Sequence, residues 1–210
     1  MIRALIADDH AVVRQGLRQI LLETADMVVT GEAANGPEAL ERARAGGFDV
    51  IVLDITMPGR SGFEVLKELR LEDPALPVLV LSMHSEEQFA VRLLKAGASG
   101  YLNKESAPEE LVKAIRKVVS GGRYVSPRLA EKLAFEIDSG SDKLLHETLS
   151  DREFQVMRMM ASGQTVKEIA AELALSVKTI STYRARILDK MNLHTNAELI
   201  HYAIQNQLIE

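Results

Sequence analysis

Five short apolar runs in the first 120 residues end at side chains that can do chemistry. The first run ends in Asp8 and Asp9, the third in Asp54, the fourth in Ser82, and Lys104 follows the fifth. The carboxyl ends of parallel strands meet at one edge of a sheet, so three carboxylates, a hydroxyl and an ammonium would converge there. Crowded carboxylates repel one another, and a hard divalent cation relieves that repulsion. The pattern predicts a Mg²⁺ site at which Asp54 is the nucleophile for a phosphoryl group.

Each of these residues alone has a simpler interpretation. A strand-end carboxylate or hydroxyl often caps the following helix, and a lone lysine is usually a solvated surface charge. Independent capping does not require a pair of acids, a central acid, a hydroxyl and a lysine at four strand ends, so the joint pattern favours a site. In that site Lys104 would neutralise one phosphoryl oxygen and the Ser82 hydroxyl would donate to another.

The elements that must position these residues alternate along the chain. Strands are predicted at residues 3–7, 27–33, 49–54, 77–82 and 99–103, where β-branched apolar residues cluster, and helices at 12–23, 37–45, 62–72, 86–96 and 108–120, where apolar residues recur three or four apart. Such alternation predicts an α/β fold with a five-stranded, doubly wound parallel sheet.

The second half of the chain has a different pattern. A linker is predicted at residues 121–147, with a short helix from Ser126 to about Ile137 and a polar loop at 138–142. Four helices follow, at residues 151–162, 166–174, 177–191 and 196–206. Ser150, with Glu153 three residues later, predicts the cap of the first, and Gly163 its end. We expect a first domain at residues 1–120 and a small all-α domain at 148–210.

The third of these helices carries a compact basic cluster. Residues 176–190 contain Lys178, Arg184, Arg186 and Lys190 against one acid, Asp189. The preceding helix ends shortly before, which is typical of a helix-turn-helix whose second helix enters the DNA major groove. A helical bundle with a solvated charged face is the alternative interpretation of the same pattern.

Composition narrows the class of protein. The 210 residues carry a formal charge of −5 and contain no cysteine, which excludes disulfides and cysteine-ligated zinc and argues against a general polyanion binder. No apolar run is long enough to span a membrane, and acids at positions 8 and 9 come too early for a signal peptide. We therefore expect a cytoplasmic protein without a membrane partner.

The first 120 residues resemble the receiver domain of bacterial two-component response regulators. The matching segments are ADDH (7–10), VLDITMPGRSG (52–62), LS (81–82) and GASGYLNK (97–104). The resemblance implies that Asp54 is the phosphoacceptor. It also implies that Asp8, Asp9, Asp54 and the backbone carbonyl of Thr56 bind Mg²⁺, that Ser82 and Lys104 contact the phosphoryl group, and that Tyr101 is the switch aromatic.

Residues 149–193 closely resemble the LuxR-type DNA-binding domain, and the whole chain resembles a NarL/FixJ-family response regulator. By position, Ser181, Thr182 and Ala185 would read bases, and Lys178, Thr179, Arg184 and Arg186 would contact phosphates. Ser181 and Ala185 stand where the family commonly has basic residues. The resemblance also implies a homodimer, formed through the receiver, the helix at 196–206, or both.

Together these observations predict a regulator rather than an enzyme. We expect it to accept a phosphoryl group on Asp54 from a sensor histidine kinase and to bind promoter DNA. A flavodoxin-like electron carrier is disfavoured because Asp8 and Asp9 would repel a flavin phosphate. A phosphatase is disfavoured because Thr56 stands where a second catalytic acid is needed. The remaining alternative is a DNA-binding regulator whose receiver only dimerises.

Overall fold

The computed structural model describes residues 1–58, 60–83, 86–127, 129–131, 144–206 and 208–209, with the side chains of 86–89 and 147 left out. The chain divides into two compact units, Met1–Asp138 and Ser139–Glu210. Among the helices of the described ranges, none has the length and apolar character needed to cross a membrane.

The first unit is an α/β fold built on one five-stranded sheet. Its strands are β1 (Ile2–Ala7), β2 (Met27–Ala33), β3 (Val50–Asp54), β4 (Val78–Ser82) and β5 (Gly100–Asn103). Its helices are α1 (Ala11–Leu22), α2 (Gly36–Ala45), α3 (Gly62–Glu72), α4 (Glu86–Lys95) and α5 (Ala107–Val119). All strand pairs are parallel, in the order β2-β1-β3-β4-β5. The predicted doubly wound sheet is confirmed.

The strand order explains where a site can form. Within the sheet, β2 lies next to β1 on one side and β3 lies next to β1 on the other. The direction in which successive strands are added therefore reverses between β1 and β3. Every residue of β3 and β4 is buried, because helices cover both faces of these central strands. Ala7 of β1 pairs with Leu53 of β3, so the residues that follow these two positions emerge side by side at the carboxyl edge.

The second unit is all-helical. A 3₁₀ turn (Leu145–Thr148) precedes α6 (Asp151–Ala161), α7 (Val166–Glu172), α8 (Val177–Lys190) and α9 (Asn196–Gln205). The predicted capping box is confirmed: the Ser150 hydroxyl accepts from the Glu153 N–H, and the Glu153 carboxylate accepts from the Ser150 N–H. Gly163, at φ 88°, follows the end of α6 as predicted.

A short turn joins α7 to α8. Ala174 adopts a left-handed conformation at φ 51°, and the Leu175 N–H donates to the Ala170 carbonyl, which closes the end of α7. Ser176 then caps α8 by accepting from the Thr179 N–H. The two helices are in contact, and Ile169 of α7 and Ile180 of α8 are both fully buried.

The predicted helices and strands differ from the observed ones by at most two residues at either end. The helix predicted from Ser126 to about Ile137 lies mostly outside the described residues, and the loop predicted at 138–142 lies entirely outside them.

Candidate functional site

The carboxyl edge of the sheet brings three predicted site residues together. Asp8 and Asp54 are almost fully buried, and the Asp9 side chain is one quarter exposed. Together with His10, they each offer one ligand atom, and these atoms all lie within 4.8 Å of one another. The sequence predicted the three carboxylates and missed the imidazole of His10.

Lys104 joins the buried carboxylates of this pocket. Its Nζ lies 2.7 Å from Asp8 Oδ2 and 2.9 Å from Asp54 Oδ2, and its side chain is only 10% exposed. The Lys104 N–H donates to the Ser82 carbonyl at 2.9 Å, which ties the residue after β5 to the end of β4. Strand pairing therefore fixes the ammonium against both acids.

The shared ion pair affects the pKa values of Asp54 and Lys104 differently. Burial raises the pKa of Asp54 above its ordinary value, Lys104 opposes this shift, and the charge of Asp8 adds to it. Burial alone would lower the pKa of Lys104, but Asp54 and Asp8 outweigh burial and raise it. Lys104 thus stays charged, while an ionised Asp54 is less favourable in this pocket than in water.

The turn after β3 holds Asp54 by its backbone. The Thr56 N–H donates to Asp54 Oδ1 at 3.2 Å. Gly62, the first residue of α3, donates its N–H to the Ile55 carbonyl, and a Cβ at this position would lie 2.0 Å from the Asp54 carbonyl oxygen. Only glycine allows α3 to approach β3 this closely.

Ser82 and Tyr101 lie in neighbouring strands and are both fully buried. Ser82 is the last residue of β4 and pairs with Asn103, and Val80 pairs with Tyr101. The Tyr101 N–H also donates to the Tyr124 carbonyl at 3.0 Å. The aromatic ring is therefore inside the fold and not at the sheet surface.

The chemistry of the pocket fits a divalent cation. Lys104 contacts Oδ2 of Asp8 and of Asp54, and it leaves the excess negative charge of three carboxylates uncompensated. Carboxylate oxygens are hard ligands of the kind that Mg²⁺ prefers. The carboxylates of Asp8, Asp9 and Asp54 are thus suited to hold such an ion.

The second unit presents the predicted DNA-contact residues on α8. Lys178, Ser181, Thr182, Ala185 and Arg186 are exposed, and Thr179 and Arg184 are half-buried. A shallow groove of about 270 Å³ on this helix is lined by Ser176, Lys178, Thr179, Thr182, Tyr183 and Arg186. It combines two basic side chains with hydroxyls, the groups that bind phosphate oxygens.

Several side chains on this face already make local hydrogen bonds. The Ser181 hydroxyl donates to the Val177 carbonyl at 2.9 Å, and the Thr182 hydroxyl donates to the Lys178 carbonyl at 3.0 Å. Both oxygens keep lone pairs that can accept a further hydrogen bond. The Nε of Arg184 donates to Asn196 Oδ1 at 2.8 Å, which fixes the guanidinium beside the start of α9.

Models of known protein families match both units of the chain. The model for the response regulator receiver domain matches residues 4–116. The model for bacterial regulatory proteins of the luxR family matches residues 147–203. This chain belongs to the NarL/FixJ family of response regulators. The predicted family is confirmed.

Relatives of this response regulator match it over nearly its whole length. The response regulator UvrY of Escherichia coli K12 is 39% identical over 209 residues, covering 99% of this chain and 96% of its own. The response regulator GacA of Pseudomonas protegens is 38% identical over 210 residues, covering 100% and 99%. A structure of RcsB from Salmonella enterica serovar Typhimurium, bound to promoter rprA with the phosphomimetic BeF₃⁻, is 28% identical. It covers 96% of this chain and 97% of its own, with a TM-score of 0.66.

Sequence reasoning missed three residues that this response regulator places at its candidate sites. His10 lies in the acidic pocket, Ser176 lines the groove of α8, and Asn196 holds Arg184. For Tyr183 the sequence left two roles open, a hydroxyl contact to the DNA backbone or simple packing, and this residue also lines the groove. A signal existed for Ser176, because a serine before a helical run is a typical N-cap. For Asn196 there was none, since the contact joins side chains of two different helices.

Proposed function

We propose that this response regulator accepts a phosphoryl group on Asp54 from a sensor histidine kinase and then regulates transcription through promoter DNA. The observation that carries the proposal is the buried Asp54 carboxylate held against Lys104 beside Asp8. In this proposal residues 1–120 are the receiver, 121–147 the linker and 148–210 the DNA-binding domain. Because the partners are a kinase and chromosomal DNA, we place the protein in the cytoplasm.

The acceptor chemistry follows from the contacts of Asp54. One carboxylate oxygen attacks phosphorus and an acyl phosphate forms, while the bond to the kinase histidine nitrogen breaks. Lys104 then shifts its contact from Asp54 to a phosphoryl oxygen and remains paired with Asp8. Mg²⁺ bound by Asp8, Asp9, Asp54 and the Thr56 carbonyl would supply positive charge for the phosphoryl oxygens.

Ser82 and Tyr101 are the proposed switch. A phosphoryl group on Asp54 would attract the Ser82 hydroxyl, and the movement of the end of β4 would favour an inward Tyr101. Tyr101 is fully buried in the structure, which supports an inward ring as one of the two arrangements. The switch is then a change in the population of two arrangements of β4 and β5, biased by charge at Asp54.

DNA recognition is assigned to α8. Lys178, Thr179, Arg184 and Arg186 would contact phosphates, and Ser181, Thr182 and Ala185 would face base edges. The exposure of the basic side chains and the groove beside them support this assignment. We also propose that the active form is a homodimer, formed through the receiver, the helix at 196–206, or both. Ile204, whose residue surface is 59% exposed, supports the helical contact.

The experiment that tests the acceptor is intact mass spectrometry after incubation with acetyl phosphate, with and without Mg²⁺. We expect the mass of one phosphoryl group on the wild-type chain with Mg²⁺ and none on Asp54→Asn. Asp73→Asn, which changes an aspartate far from the pocket in the sequence, is the matched control and should be modified like wild type. No added mass on the wild-type chain would instead support a receiver that only dimerises.

A further inference from the structure

The imidazole of His10 lies at the open side of the acidic pocket. Its Nδ1 is 2.9 Å from Asp9 Oδ1 and 3.4 Å from Asp8 Oδ1, and the His10 N–H donates to Asp8 Oδ1 at 2.8 Å. His10 occupies the N-cap position of α1, yet its side chain makes no capping hydrogen bond. The ring is therefore directed at the carboxylates and not at the end of the helix.

The two oxygens of Asp8 face different charges. Oδ2 contacts the ammonium of Lys104, and Oδ1 lies on the side of His10. Lys104 also contacts Oδ2 of Asp54, yet Asp8, Asp9, Asp54 and His10 each still offer one ligand atom, and these four atoms all lie within 4.8 Å of one another. A cation held by the carboxylates of this group therefore has His10 Nδ1 within reach.

We propose that His10 is a further ligand of the divalent cation and that it shifts the selectivity of the site from Mg²⁺ towards Mn²⁺. This inference rests on the proposed function of the pocket and adds to it a nitrogen ligand. Neighbouring ligand atoms of an octahedral ion with bonds of 2.0–2.1 Å lie about 2.9 Å apart, which is the separation of His10 Nδ1 and Asp9 Oδ1. Imidazole favours transition metals, whereas an all-oxygen set suits Mg²⁺.

The competing role for His10 is that of an internal cation. A charged imidazolium beside Asp8 and Asp9 would occupy the space of the metal and weaken its binding. The two roles predict opposite effects of removing the ring: loss of a ligand lowers Mn²⁺ affinity, whereas loss of a competing charge raises the affinity for every divalent cation. Replacing His10 therefore distinguishes them directly.

The test is a Mn²⁺ titration of the full-length protein followed by electron paramagnetic resonance, with Mg²⁺ as a competitor. For His10→Ala we expect Mn²⁺ affinity to fall about tenfold and Mg²⁺ affinity to change much less. Pulsed measurements of bound Mn²⁺ should show coupling to an imidazole nitrogen in wild type and none in His10→Ala. His10→Gln, which keeps a polar side chain at this exposed position, should behave like His10→Ala. His194→Ala, which removes an exposed histidine of the second unit, should match wild type.

Failure of the inference can be told apart from failure of the proposed function. If Asp9→Asn abolishes Mn²⁺ binding while His10→Ala leaves or strengthens it, His10 is not a ligand and the proposed cation site stands. If wild-type protein keeps its Mn²⁺ but shows no nitrogen coupling, the inference is likewise wrong. If wild-type protein binds no Mn²⁺ at all, both the inference and the proposed cation site are wrong.

Discussion

Removing the ammonium of Lys104 should cost the first unit a large part of its stability. In Lys104→Met the side chain keeps its length and loses its charge, so Asp8 and Asp54 face each other without a shared cation. Both carboxylates are almost fully buried, and Lys104 Nζ contacts them at 2.7 and 2.9 Å. The variant therefore leaves buried charges uncompensated, the situation in which removing one member of an ion pair is most costly.

The magnitude follows from the geometry of the two ion pairs. At an effective dielectric constant of about 20, charges at these separations attract by about 6 kcal/mol for each pair. The cost of desolvating Lys104 offsets much of this gain, and we expect a net loss of about 3–5 kcal/mol in the free energy of unfolding at pH 7. Asp54→Asn in the same chain should restore about half of the loss, because one carboxylate then remains unpaired.

The deficit should also depend on pH with a defined sign. Burial already raises the pKa of Asp54, and removal of Lys104 raises it further. A carboxyl whose pKa is higher in the folded than in the unfolded protein destabilises the fold once it must ionise. Its contribution to the free energy of unfolding is fully present below the unfolded-state pKa, near 3.9, and is lost as pH rises through the folded-state pKa. Lys104→Met should therefore resemble wild type near pH 4 and show its full deficit at pH 7.

Hydrogen exchange of the amides in β1 and β3 measures this free energy in the full chain, because it reports the opening of the first unit alone. Lys113→Met, at an exposed position of α5, is the matched control and should stay within about 0.5 kcal/mol of wild type. A Lys104→Met variant within 1 kcal/mol of wild type at pH 7 would refute the assignment of Lys104 as the cation that holds Asp8 and Asp54.

Three further changes test other parts of the structure. Gly62→Ala places a Cβ against the Asp54 carbonyl oxygen. It should lower the opening free energy of β3, measured by hydrogen exchange, by about 3 kcal/mol and reduce phosphoryl uptake from acetyl phosphate, and unchanged exchange in β3 would contradict this. Ser150→Ala removes the capping hydroxyl of α6 and should lower its opening free energy by about 1 kcal/mol, measured by exchange in that helix. Arg186→Ala should weaken promoter binding and reduce the slope of log affinity against log salt by about 1, measured by fluorescence anisotropy; an unchanged slope would show that Arg186 contacts no phosphate.

The fold could be predicted because its signals are local. The runs that form β3 and β4 are apolar at nearly every position, which only a strand buried on both faces requires, and the acids and hydroxyl stand at their ends. The pocket residues follow from the strand ends once the sheet is parallel. The roles assigned to these residues stay predictions, because position does not establish chemistry.

The side-chain contacts that the sequence did not predict are those set by tertiary geometry. The direction of the His10 ring depends on the turn that places the start of α1 over the end of β1. The hydrogen bond from Arg184 to Asn196 depends on where tertiary packing places the start of α9. By pattern alone Tyr101 could have been half-packed on a sheet edge, but it is fully buried. Gly100 beside it forms a bridge with Tyr124, a pairing that no local periodicity predicts.

The unequal charges in the acidic pocket bear on the proposed switch. Three carboxylates share the pocket with one ammonium, and burial, to which the charge of Asp8 adds, raises the pKa of Asp54, so that ionised Asp54 is less favourable there than in water. If the only role of this pocket were to stabilise the fold, a second lysine that neutralised the remaining carboxylate charge would be favourable. It would also occupy the place of the proposed metal ion and of the proposed phosphoryl group. In the proposed function, the excess negative charge is therefore the property that lets the fold respond to a bound cation and to modification of Asp54, and a receiver stabilised by complete charge pairing would lose that response.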